Sequence, residues 1–170
     1  DVIESRGLGD VYKRQNDDLE KIKYIEHEDF KACSINANYE ISKGHNGLEK
    51  ALDNIVDKVE KKVDTNHNII ILSDRKTSKK HAPIPILLVC SYVHHSLIKR
   101  NKRSKFGIVI ESAEPREPHH FSMLFGYGAS AINPYMVNEI IEYHHKLGLL
   151  NEQKLDKSID NFNKAIAKGI

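Results

Sequence analysis

Three short apolar runs, at residues 68–72, 106–110 and 129–132, constrain this chain more than any other feature. Each is followed by a polar cluster and then by a segment of helical period. Runs rich in β-branched residues and lacking polar alternation read as strands covered on both faces. Strands alternating with helices predict a parallel sheet with right-handed crossovers, and so an α/β fold. In such a sheet the polar clusters share one edge, the edge where ligands usually bind. The pattern alone does not separate a partial (β/α) barrel from an open doubly wound sheet.

The flanking segments extend the alternation. Leu48, Leu52, Ile55, Val56, Val59 and Val63 recur every three or four residues and predict the clearest amphipathic helix of the chain. Asn46, with Glu49 three residues on, reads as its capping box. Residues 30–39 alternate loosely and predict one short strand; residues 16–28 carry one or two helical turns. Residues 73–81 read as a loop, and Pro83 and Pro85 as the entry to a helix bearing Ile86, Leu87, Val89, Cys90, Val93 and Leu97. Residues 115–118 open a further helix that ends at Gly126-Tyr-Gly128, a C-cap leading into the third apolar run. Helices around 137–143 and from about 151 to 167 complete the reading.

The first 15 residues stand apart. Ser5 to Gln15 has no amphipathic period and resembles a translated sequencing-adapter tract, so residues 1–15 are expected to be a non-native or disordered leader. The chain starts without methionine and stops inside a helical pattern, which suggests a piece of a longer protein. Its net charge of +2 is too small for a general nucleic-acid or membrane binder. The apolar runs are far shorter than a membrane span. Cys33 and Cys90 have no partner pattern and suit a reducing compartment.

The polar clusters supply the candidate chemistry. Ser73, Asp74 and Arg75 follow one strand, and could bind a ligand or brace the loop as an ion pair. Glu111, Ser112, Glu114, Arg116 and Glu117 follow the next. Three nearby carboxylates suit acid–base work or a hard cation, or equally helix capping and loop pairing. The histidine pairs His94-His95, His119-His120 and His144-His145 cannot easily hold one metal, because adjacent helical residues point about 100° apart. One member of each pair is expected to face the core or a neighbouring domain and the other solvent. Lys99, Arg100, Lys102, Arg103 and Lys105 could touch phosphate, but they offset a helix dipole at the edge opposite the strand-end loops. No nucleophile motif is visible.

Seven linked segments carry a resemblance. They are Ile71-Leu-Ser-Asp-Arg75, Ala82-Pro-Ile-Pro85, Val93-His-His-x-Leu-Ile98, Val109-Ile-Glu-Ser112, Arg116-Glu-x-His-His-Phe121, Gly126-Tyr-Gly-Ala129 and Ala131-Ile-Asn-Pro-Tyr135. In order and spacing they resemble the central domain of the glutamate synthase large subunit. The likeness implies a partial (β/α) barrel-like domain with a mostly parallel sheet over residues 16–170, ending just before an FMN-binding domain. It implies a parent enzyme that makes two glutamates from glutamine, 2-oxoglutarate and reductant, with FMN and an iron–sulfur cluster. It also implies that this segment joins the amidotransferase and FMN domains and helps form an ammonia path, itself inert and without cofactor. Cytoplasmic location, or a plastid in a photosynthetic eukaryote, goes with the likeness. No catalytic residue is carried over. Ser73, Asp74, Arg75, Glu111, Ser112, Glu114, Arg116, Glu117, His119, His120, Asn133 and Tyr135 are the expected interdomain contacts. The family usually has glycine where Ala113 stands, a small residue for Pro115 and an aliphatic one for Pro118. An isolated half-barrel leaves sheet edges open, so self-association is expected as well. The alternative is a free-standing half-barrel that binds a small anion at its strand-end loops.

Overall fold

The computed structural model describes residues 18–25, 27–150 and 154–170. The expected leader lies outside them. Residues 18–23 form helix α1. Then come β1 (Ala32–Asn36), β2 (Asn38–Glu40), α2 (Gly44–Asp64), β3 (Ile69–Ser73), β4 (His81–Pro83), α3 (Ile86–Lys99), β5 (Gly107–Glu111), α4 (Pro118–Gly126), β6 (Ala129–Asn133), α5 (Tyr135–Lys146) and α6 (Leu155–Gly169).

The main sheet has four strands in the order β1-β3-β5-β6, and every pairing is parallel. The strands advance in chain order without closing among the described residues, which makes this a partial barrel-like α/β domain. Alternate strand residues face opposite sides. Ile35, Ile70, Leu72, Ile108 and Ile110 face the helix layer and pack with Val56 and Val59 of α2 and Val89, Val93 and Leu97 of α3. Ile71 and Val109 face the other way and are covered by Leu19 of α1. The register aligns Asn36, Ser73, Glu111 and Asn133 across all four strands on that second face. Above the apolar layer, the sheet thus ends in a polar one.

Several boundaries differ from the sequence reading. Residues 30–39 form two strands. Ala37 is wholly buried; its N–H donates to Ser73 O at 2.7 Å, and its own carbonyl accepts from Ile84 N at 2.9 Å. It thereby passes the chain from the main sheet into an antiparallel β2–β4 ribbon. That ribbon takes up the end of the expected loop and places Pro83 in a strand, leaving Pro85 alone at the entry to α3. Helix α2 starts at Gly44 with no side-chain cap, so Asn46 and Glu49 lie inside the helix, in its first and second turns, and make no capping box. Pro118 is the first residue of α4, as expected of a proline there.

The turn at Gly126-Tyr-Gly128 closes α4 as predicted, with Gly128 at φ 97°. Arg103 braces that turn. Its Nη2 donates to Gly128 O at 2.7 Å, its Nη1 to Phe106 O at 2.7 Å and its Nε to His94 Nδ1 at 3.0 Å. Lys102 pairs with Glu60 and Asp64 at 2.8 Å each, and Arg100 pairs with Asp57 and Glu60. These basic residues tie helices together, away from the strand-end loops. His94 is half-buried beside exposed His95, and His120 half-buried beside exposed His119. His144 and His145 are both exposed, so neither faces the core of this domain. No helix among the described residues is long and apolar enough to cross a membrane.

Candidate functional site

The carboxyl ends of β3, β5 and β6 bring seven of the twelve candidate residues together. Asp74 is the hub, and only 1% of it is exposed. Its Oδ2 accepts from Ser112 Oγ at 2.6 Å and from Ala113 N at 3.1 Å, and its Oδ1 accepts from the Tyr135 hydroxyl at 2.7 Å. The segments after β5 and β6 are therefore both fastened to the carboxylate that follows β3. Burial, and then the bond to Asp74, hold the Tyr135 phenol far above its ordinary pKa.

Beside it lies a second knot. Arg75 Nε donates to Glu111 Oε1 at 2.7 Å and Arg75 Nη1 to Glu139 Oε1 at 3.2 Å. The guanidinium also lies over the Tyr135 ring, 4.0 Å from its centre. Lys23 Nζ reaches Glu111 Oε1 at 3.0 Å from α1. Burial alone would raise the pKa of Glu111, but hydrogen bonds from Ser73, Lys23 and Arg75 outweigh it and hold the carboxyl below the ordinary range. Asn133 is buried at the β6 end of the same layer.

The other five candidates form a separate, outer group. Glu114 Oε2 accepts from Ile86 N at 3.0 Å, capping α3. Although the residue as a whole is exposed, this carboxylate is turned inward, and desolvation raises its pKa. Arg116 N donates to His120 Nδ1 at 3.2 Å, and His120 Nε2 lies 3.4 Å from Glu117. Glu114, His119 and His120 rim a cavity of about 310 Å³ floored by Ile86, Met123 and Leu124.

Sequence reasoning missed Lys23 and Glu139. Both lie on helices outside the strand-end motifs, and Lys23 is 88 residues from its partner. Only the three-dimensional fold joins them. It missed, too, an open cleft of about 680 Å³ between β2 and α2, lined by Asn38, Lys43, Lys50 and Lys58.

Chemically, the inner layer is committed to itself. Asp74 and Glu111 put two buried carboxylates at the strand ends, and like charge disfavours a phosphate beside them. An iron–sulfur cluster takes four cysteine ligands, and the chain has two. Burial pushes the Cys90 thiol up to about 11. Among the described residues no group of three or more His, Cys, Asp or Glu side chains is placed to hold a metal ion. Arg75 is held by Glu111 and Glu139, so an anion at these loops would compete with two carboxylates for it.

Fold and site together define a partial-barrel α/β domain whose strand-end polar layer is internally braced. The glutamate synthase central domain family matches residues 14–170. The chain is 34% identical over 155 residues to the glutamate synthase (NADPH) large chain of Bacillus subtilis, covering 91% of this chain and 10% of that one. It is 31% identical over 163 residues to ferredoxin-dependent glutamate synthase 2 of Synechocystis, covering 88% of this chain and 10% of the relative. The chloroplastic ferredoxin-dependent enzyme of Spinacia oleracea matches at 31% over 152 residues, 82% of this chain and 9% of its own length. This chain therefore belongs to the glutamate synthase central domain family, and it spans about a tenth of the length of these relatives.

Proposed function

We propose that this chain is the structural central domain of a glutamate synthase large chain. In this reading residues 16–170 link an amidotransferase domain to an FMN-binding domain and form part of the path for ammonia. The parent reaction converts glutamine, 2-oxoglutarate and reductant to two glutamates, and flavin and iron–sulfur chemistry belongs to other parts of the parent. The domain supplies geometry and no reacting group.

The carrying observation is that the charged residues of the strand-end layer, Asp74, Arg75 and Glu111, are bound by groups of their own chain. An active site keeps some polar groups free for substrate; here the Asp74 carboxylate accepts three hydrogen bonds from its own chain, and Arg75 and Glu111 bind each other. That suits a rigid face against which neighbours dock. The outer group, Glu114, Arg116, Glu117, His119 and His120, is the accessible part of the same edge.

Flavin titration tests this directly. The purified chain is expected to bind no FMN and to make no glutamate from glutamine or ammonia. Stoichiometric flavin co-purifying with it would overturn the reading. Chemical shift changes confined to Arg75 and Arg116 on adding phosphate would favour a free-standing anion binder instead.

A further inference from the structure

Helix α5 buries a polar residue, Asn138, and leaves an apolar stripe on its outer side. Asn138 is fully buried, while Ile140, Tyr143 and Leu147 are 41%, 61% and 53% exposed. At 100° per residue, Met136, Ile140, Tyr143 and Leu147 fall within about 60° of one another, directly opposite Asn138. Their 4-3-4 spacing is that of a coiled-coil seam. A monomeric surface has no use for such a stripe, and contiguous apolar surface of this kind marks an interaction face.

The charges beside the seam say what covers it. Glu139, which pairs with Arg75 at 3.2 Å, and Lys146, which pairs with Glu142 at 2.6 Å, flank the same side of the stripe. Both pairs are surface ion pairs open to exchange. When two such helices pack antiparallel, Ile140 meets Tyr143 of the second copy and Met136 meets Leu147. The same register sets Glu139 against Lys146 of the second copy, twice over by symmetry. Antiparallel packing also opposes the helix dipoles, which parallel packing would align. The stripe is thus complementary to itself in shape and in charge, as a two-fold interface must be.

We propose that the outward face of α5 is a two-fold, antiparallel helix–helix interface between two copies of this chain. A three-turn helix pair lies below the roughly 1,200 Å² of stable complexes, so the dimer is weak and concentration-dependent. The inference rests on α5 alone and is independent of the role proposed for the strand-end layer.

Sedimentation equilibrium of the purified chain, from low to high micromolar concentration, tests it. A reversible monomer–dimer equilibrium is expected, and Tyr143→Lys or Leu147→Lys should raise its dissociation constant about tenfold or more. Both positions are exposed, so far-UV circular dichroism should stay unchanged. Glu139→Lys and Lys146→Glu should each weaken self-association, whereas an equimolar mixture of the two variants should restore a dimer. A chain that stays monomeric throughout overturns the proposal and leaves the stripe to another part of a longer protein. So does a dimer indifferent to Tyr143→Lys, or a variant mixture without rescue.

Discussion

Replacing Asp74 with alanine should be among the most damaging single changes in this domain. The substitution strands three buried or half-buried donors at once: Ser112 Oγ, the Tyr135 hydroxyl and Ala113 N. Each hydrogen bond to a charged acceptor contributes about 1.5–3 kcal/mol. Losing three gives a gross loss of roughly 5–9 kcal/mol on that scale. Against it stands the relief of no longer desolvating a carboxylate, an effective cost of several kcal/mol. The net destabilisation works out at about 3 kcal/mol, in line with breaking other buried charged networks. With a urea slope of about 2 kcal/mol/M, the unfolding midpoint should fall by about 1.5 M. Urea titration followed by far-UV circular dichroism reads this, since the chain has no tryptophan. Tyr135→Phe removes one of the donors and should cost about 1–2 kcal/mol. The double variant should be less damaging than the two singles added, by about 1 kcal/mol, because they share a bond. A midpoint shift within error, or strict additivity in the cycle, would refute the claim that Asp74 fastens the strand-end loops.

Three further outcomes follow from the same geometry. The Glu111 carboxyl sits below the ordinary glutamate range despite its burial, so its stabilising effect is present above about pH 4.3 and is lost as pH falls through the native value. Glu111→Gln should therefore flatten the acid limb of the stability–pH curve, and an unchanged limb would contradict the assignment. Gly128→Ala puts a side chain at φ 97° with its Cβ 2.2 Å from His94 Nδ1; it should cost about 3 kcal/mol, or roughly 6–12 °C in melting temperature. Lys23→Met cuts the tie between α1 and Glu111, and should speed amide exchange across residues 18–23 while α2 and α3 keep their protection.

The elements built on strong periodicity were legible in the sequence. β3, β5 and β6 follow from apolar runs, and α2 from its repeating stripe, because burial on one or both faces leaves a direct mark on residue order. The β2–β4 ribbon was not legible. Its short strands include Pro83 and meet across about 40 residues, so the pairing is decided by Ala37 handing its backbone from one sheet to the other. The site divided in the same way. Position after a strand correctly gathered Ser73, Asp74, Arg75, Glu111, Ser112, Asn133 and Tyr135, since parallel topology alone puts strand ends on one edge. It could not show that Glu114 would turn to cap α3, nor that Lys23 and Glu139 would supply the missing partners.

Those two partners change what the polar layer means. A closed barrel fills its interior with side chains from all its strands. Here four strands leave that face open, and α1 covers its apolar part through Leu19. The polar layer above is neutralised from both flanks, by Lys23 of α1 and by Arg75, which is shared with Glu139 of α5. Neither flanking helix is an ordinary crossover between neighbouring strands of the main sheet. The charges that make the strand-end edge rigid are therefore held from outside the repeating β/α units. Glu139 is also the acidic residue that flanks the exposed stripe of α5. Whatever packs on that stripe competes for, or reinforces, the carboxylate that steadies Arg75. A change in the environment of Arg75 on association, read by its side-chain Nε–H resonance, is the expected signature of that link, and its absence would show the two faces of α5 to be uncoupled.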